Sequence, residues 1–442
     1  MQTATKPRAL SSPLFAWHTW LPCLLLLSLF LAGGCSPGAK KARHLARGEK
    51  FFKAEQYDRA EIEFLNFLRL ERTNAVALRQ LGLGYYQQGR LIRSYQFLHQ
   101  ALALRSKDDE VRLRLASILI TSLNFKEARE HAEAVLSRNP ANEEALILLS
   151  DTVFSTNEIE AARRRIEASR PRIEGKPGLH LALGALELRQ MHTNQALAHF
   201  ERALALDPQS SAAHFELGNV SALSADNVKA DFHFRRAAQL APVRSARRIH
   251  YADFKLRVGD RVAAKAFLES MIKQAPDYIP ASTRLAEIAL VERRFDDAAS
   301  ISRNILARDP GNYEAMLLLG RVNLSKEDYP RARTEFERLV AAYPRVAQAH
   351  FHLAVAQMMN KDQIKAIATL QQVLAIEPKH TDSILLLAEL NLRKNDLPPA
   401  VASLKQLVKE QPQLAQAHLL LGTTYRAQRE FDAAAAVCRT SP

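Results

Sequence analysis

The chain has 442 residues, 47% of them apolar and 24% charged, a composition that excludes long disorder and can supply a large core. Lysine and arginine total 61 against 47 acidic residues, a formal charge of +14, which directs attention to anionic partners. Three cysteines, Cys23, Cys35 and Cys438, are too few and too scattered for a disulfide-framed fold.

Residues 1–34 have their own grammar. Lys6 and Arg8 give a short positive region, no acidic residue precedes Glu49, and Leu21 to Ala32 is an apolar run of signal-peptide length. It ends in Leu31-Ala32-Gly33-Gly34-Cys35. This stretch resembles the lipobox of bacterial lipoproteins, with Ala32 where that family usually has leucine. The resemblance implies cleavage before Cys35 and its lipidation. An uncleaved anchor over Leu14–Ala32, interrupted by His18 and Pro22, is the competing expectation. Ser36 follows the cysteine where inner-membrane retention would need aspartate, so the resemblance implies the outer membrane, on its periplasmic side. A linker, 35–40, leads into Lys40, Lys41, Arg43, Arg47 and Lys50. That basic cluster either draws the chain to anionic head groups or solvates a first helix.

From Lys41 to the end, 41–442, the sequence stays in register with itself at a shift of 34 residues. Units begin at Lys41, Ala75, Asp109, Glu143, Pro177, Ser211, Ser245, Ile279, Tyr313, Ala347, Thr381 and Ala415. In Tyr313–Val346, Met316, Leu319, Gly320 and Asn323 predict one face of a first helix. Asp328 and Pro330 then start a second helix, which carries Ala332, Phe336 and Leu339 and stops at Pro344. The twentieth position is alanine in eleven of twelve units, with Ser94 the exception. The eighth is always Gly, Ala or Ser, and proline recurs at the thirty-second. Small residues at fixed places predict close helix approach repeated along the chain.

This pattern resembles the tetratricopeptide repeat family. The resemblance implies an all-α, right-handed superhelical solenoid of about twelve helix-turn-helix repeats. It also implies an inner groove lined by the fifth, ninth and twelfth positions. The fifth is mostly apolar, as Leu113, Ile147, Leu181, Phe215, Ile249, Leu317, Phe351, Leu385 and Leu419. The twelfth includes Ile120, Phe154, Leu188 and Met358. Such a stripe suits an amphipathic helix or an extended apolar peptide, or else serves packing between adjacent first helices. The carboxylate-clamp pattern of chaperone-binding relatives is missing.

Arginine concentrates at Arg163, Arg164, Arg165, Arg170 and Arg172, and again at Arg247 and Arg248. No aromatic platform interleaves with them, so nucleic acid is not an expected partner. Either they solvate outer helix faces or they meet an anionic polysaccharide. His44, His180, His214, His350 and His418 all fall at the fourth position, where packing between hairpins is expected. No zinc spacing, phosphate loop or nucleophile elbow occurs, so no cofactor, metal or enzymatic activity is expected. Asp296-Asp297 and Glu327-Asp328 fall in turns, where helix capping is expected. Cys438, at the twenty-fourth position, is expected to pack as Phe or Leu does elsewhere, with an intermolecular disulfide the alternative. The twelfth unit runs only to Pro442 through an alanine-rich second helix, FDAAAAVC, with no polar cap after it. That edge is expected either to dock on a partner or second copy, or to continue in a longer chain.

The run AKKARHLARGEKFFKAEQYDRAEIEFLNFL, with the lipobox cysteine and brief spacer before it, is similar to tetratricopeptide lipoproteins encoded with exosortase (PEP-CTERM) and exopolysaccharide-export systems. What this implies is a lipid-anchored scaffold of the cell envelope, gathering proteins of a polysaccharide-export or protein-sorting assembly. A pilus or outer-membrane-protein assembly lipoprotein and a direct anionic-polysaccharide binder are the alternatives.

Overall fold

The computed structural model describes Met1 and residues 37–439. The remaining signal-segment residues, Cys35 and Ser36 lie outside the described residues. Among the described residues there are twenty-five helices and no strand, and no helix is long and apolar enough to cross a membrane.

The chain forms two compact units, one through Leu206 and one from Asp207. The first holds five helix hairpins, from Pro37–Lys53 with Tyr57–Leu70 to Pro177–Arg189 with Thr193–Leu206. The second holds seven, from Ser211–Leu223 with Asn227–Leu240 to Ala415–Ala427 with Phe431–Arg439. Within each unit successive hairpins pack side by side, so most of each hairpin's apolar surface is covered by its own second helix and its neighbours. The expected solenoid of hairpins is present.

The small eighth position has a specific cause. In four hairpins the residue sixteen places later is phenylalanine, and its ring packs directly against the eighth-position glycine. A Cβ on Gly48, Gly184 or Gly218 would come within 2.5–2.6 Å of a ring carbon of Phe64, Phe200 or Phe234, and Gly320 meets Phe336 in the same way. Opposite leucine, alanine is accommodated in Ala252–Leu268 and Ala388–Leu404, whereas at Gly82 a Cβ would still come within 2.7 Å of Leu98. Cys438 falls at the ring position opposite Gly422, with its Sγ 3.5 Å from where a Cβ would stand. It is nevertheless exposed, which corrects the expectation that it packs like a core residue. No further described helix lies over it.

Every hairpin but the fourth turns through a left-handed residue at its fifteenth position. These are Glu55, Leu123, Met191, Ala225, Arg293, Glu327, Lys361, Asn395 and Arg429, with Gly89 and Gly259 the two glycines. The Gln56 N–H reaches the Phe51 carbonyl at 2.9 Å and the Glu55 N–H reaches Phe52 at 3.0 Å, a Schellman arrangement that satisfies the end of the first helix. A side chain in this conformation costs roughly 1–2 kcal/mol. Met191 is 83% exposed and gains nothing in compensation from packing. Met191→Gly is therefore expected to raise stability by up to about 1 kcal/mol, read as a higher urea midpoint. A lower midpoint would show that the turn is strained for another reason.

The fourth unit departs from the period that its sequence keeps. Its first helix, Glu143–Asp151, is nine residues long, and its second begins early at Thr156. The cause is a capping box. Ser155 Oγ accepts from the Glu158 N–H, and the Glu158 carboxylate accepts from the N–H groups of Phe154 and Ser155 at 3.2 Å. Arg129 donates to the Thr152 carbonyl and to Glu158, and Arg189 donates to the carbonyls of Ser150 and Asp151 at 2.9 and 2.8 Å. An extra turn, Arg170–Ile173, fills the space before the next hairpin. Phe154 thus stands in a turn, 52% exposed beneath the Arg189 guanidinium, and not on the inner face of a helix as its twelfth position implied. Asp328 caps its helix through the Arg331 N–H as expected. Asp296 and Asp297 do not cap; they pair with Lys326 and Arg294.

Candidate functional site: an apolar groove on the first helices

The fifth-position residues divide sharply by burial. Leu113, Leu181, Ile249 and Leu385 are buried, and Ile147, Phe215, Leu317 and Phe351 are half-buried. Leu419 is 71% exposed. Phe215 has its ring 5.8 Å from Phe234 and 4.8 Å from His250, so its first task is packing. A concave site opens where three successive first helices leave apolar surface uncovered.

That place is in the second unit, on Ala347–Met359, Thr381–Arg393 and Ala415–Ala427. Phe351, Leu385 and Leu419, one turn-equivalent residue from each helix, line a cavity of about 470 Å³ together with Val355, Met358 and Leu420. Asp382 and Glu389 stand at its rim, Glu389 already paired with Arg393 at 2.6 Å. His380, 5.2 Å from Phe351 ring to ring, is tied to Gln348 Oε1 at 3.3 Å. An apolar floor with carboxylates at the edge suits a chain segment that presents aliphatic anchors and a basic residue.

The basic residues are more occupied than their sequence implied. Arg163 bonds Glu187 at 2.7 Å and Gln190 at 2.9 Å. Arg165 donates to the Leu136 carbonyl, and Arg170 grips Glu167 through two nitrogens at 2.6 and 2.9 Å. Arg164 and Arg172 are exposed. Arg247 and Arg248, half-buried, belong to the other unit, where Arg248 lies over the Phe267 ring. Burial pulls the Arg248 guanidinium below its usual range.

His44 meets Glu63 at 2.6 Å, and the other four fourth-position histidines serve structure in two ways that the sequence did not disclose. His350 and His418 lie within hydrogen-bond reach, 3.0 Å through Nε2, of the Pro344 and Pro412 carbonyls, six residues upstream. His214 is bonded to the Pro208 backbone in the same register. The recurring Pro-x5-His spacing was the signal for this device, since the turn carbonyl needs a donor. Second, His180 meets His199 and His214 meets His233, Nδ1 to Nδ1 at 3.2 and 3.1 Å, with ring centroids 5.5 and 5.3 Å apart. Those separations point the two nitrogens almost directly at one another. The arrangement is that of an N–H···N bond between neutral rings; it does not converge on a third point where an ion could sit. Among the described residues no group of three or more His, Cys, Asp or Glu side chains could hold a metal ion.

Two family models, each described as the tetratricopeptide repeat, match residues 121–185, 289–358 and 357–422, and 181–244. Between them they take in more than half of the chain. The chain belongs to the tetratricopeptide repeat family. No curated protein matches it. Solved structures with similarity include yeast Tom70, at 16% identity over 91% of this chain and 97% of that one, with a TM-score of 0.48. The APC/C hetero-tetramer Cut9–Hcn1 matches at 16% over 83% and 82%, with a TM-score of 0.43. A tetratricopeptide repeat protein from Parabacteroides merdae matches at 14% over 55% and 98%, with a TM-score of 0.40. Here the last three first helices of the second unit, Ala347–Met359, Thr381–Arg393 and Ala415–Ala427, combine apolar side chains with an open cavity.

Proposed function

We propose that this tetratricopeptide protein is a scaffold, tethered to the outer membrane by lipid on Cys35, that gathers proteins of a cell-envelope assembly of the polysaccharide-export or protein-sorting kind. The observation that carries the binding role is the cavity floored by Phe351, Leu385 and Leu419. Its ligand is an amphipathic or extended segment of a partner protein. The tether and the envelope setting are supported by the lipobox-like sequence and the basic run that follows it. A direct polysaccharide-binding role is less favoured, because Arg163, Arg165 and Arg170 already spend their donors on neighbours.

Leu419→Asp tests the groove cleanly, since that side chain is mostly exposed and its loss removes little packing. Affinity capture from cell envelopes is expected to recover a defined set of proteins with the wild type and to lose them with Leu419→Asp at unchanged melting temperature. Their capture is expected to persist at high salt, where polysaccharide binding through exposed arginines would collapse. Capture that survives Leu419→Asp refutes the groove, and capture unaffected by Cys35→Ser refutes the tether.

A further inference from the structure

The second unit holds another cavity, of about 420 Å³, lined by an entirely different set of repeat positions. It lies among the helices Arg261–Gln274, Ile279–Val291 and Phe295–Arg308. Its origin is one small side chain. The fourth position carries His, Leu, Arg, Met or Ile in the other eleven units, and in several of them it meets the residue nineteen places later across the hairpin, as in His180 with His199 or Arg112 with His131. In the eighth unit that position is Ser282, the one serine of the twelve, opposite Ile301. A hydroxymethyl group does not reach across, and the space stays open.

The walls of this space are aliphatic: Ile272, Ile279, Leu285, Ile301 and Ile305. The polar groups are Ser282, Asn304 and Arg308, and Arg308 is held at the rim by a hydrogen bond from Nη1 to the Pro276 carbonyl. No carboxylate lines the cavity, so it offers nothing to a cation, and no aromatic ring lines it, so it offers no stacking face to a sugar or a base. Its volume falls within the range of small-molecule sites, roughly 300–1,000 Å³.

We propose that this cavity binds a single aliphatic chain with an anionic head, carboxylate or phosphate, the chain lying among the isoleucines and the head meeting Arg308 and Asn304. The site is independent of the groove and of the scaffold role. Isothermal titration of the full chain with decanoate, decyl phosphate and decanol, each below its self-association concentration, tests it. Saturable binding at one site is expected for the two anions. Ser282→Met, which installs the side chain that the next repeat carries as Met316, is expected to weaken binding about tenfold or more by filling the space. Arg308→Gln is expected to weaken both anions about tenfold while leaving decanol nearly unchanged. Tighter binding of decanoate would identify a free fatty acid as the natural source, and tighter binding of decyl phosphate a lipid phosphate. Absence of saturable binding, or equal binding by Ser282→Met, overturns the proposal. Should Ser282→Met fail to fold by circular dichroism, an Arg308→Gln variant that treats anions and decanol alike overturns it as well.

Discussion

Gly184→Ala is expected to destabilise its hairpin by about 1–3 kcal/mol, although the same change in an open helix would be favourable by roughly 1 kcal/mol. The added methyl would stand 2.5 Å from the Phe200 ring, which is fully buried and has nowhere to go. Phe200→Leu alone should leave a void and also destabilise. The double variant is expected to recover most of the loss, because alanine opposite leucine is the pairing that Ala252 and Leu268 already make. Gly422→Ala is the control: the nearest atom would be Cys438 Sγ at ordinary contact distance, so that change should be neutral or stabilising. Urea midpoints by circular dichroism, with hydrogen exchange over Pro177–Leu206, give the cycle. Repeat arrays need not unfold in one step, so the local readout matters. Additive single effects would mean that the glycine is there for another reason.

Acidification below pH 6.5 is expected to weaken the fold, and His352 is expected to dominate. Its ring is stacked on Phe336 at 5.4 Å, and burial, with Arg321 and His380 nearby, pushes its pKa down to about 4. His131, His180, His199, His214, His233 and His250 are lowered as well, burial first in each. In the unfolded chain these rings take protons near 6.5. The unfolded state therefore binds protons first as the pH falls, and the stability that is complete above 6.5 is lost progressively towards the folded pKa. For His352 the loss amounts to about 3 kcal/mol at most by pH 4. The paired rings add to it, since an N–H···N bond at 3.1 Å has no place for a proton on both facing nitrogens. Urea midpoints between pH 7.5 and 4.5 should fall steadily in the wild type and less steeply in His352→Leu. Equal slopes, or a rise on acidification, would contradict this account.

Much of this architecture was legible in the residue order. The 34-residue period, the alanine at the twentieth place, the small eighth residue and the proline stops are properties of one hairpin and its neighbour, and such contacts recur identically along the chain. They sufficed for the twelve hairpins and the fold, though not for the extra turn Arg170–Ile173. The irregular fourth unit was legible too, as the Ser155-x-x-Glu158 capping signature, but a uniform period concealed it: a cap worth about 1 kcal/mol moves a helix boundary without disturbing the register of the core. The left-handed fifteenth position was not readable, because nine of its eleven occupants are not glycine and the hairpin geometry imposes the turn on whatever residue stands there.

The site divides along the same line. Sequence alone selected the fifth-position residues as a class, and a class is all that periodicity can select. Leu385 and Leu419 occupy the same repeat position with the same side chain, yet one is buried and the other is 71% exposed. The difference depends on whether a further first helix packs over the residue: Ala415–Ala427 packs against the helix of Leu385, and no described first helix follows that of Leu419. The same holds for two of the arginines, whose partners lie 24 and 29 residues away across the stack, Glu187 for Arg163 and Leu136 for Arg165. Residue order thus determined the repeating unit and its core, because those contacts are short-range and periodic. Which apolar residues remain open to a partner, and which charges remain unspent, was decided only when the hairpins stacked.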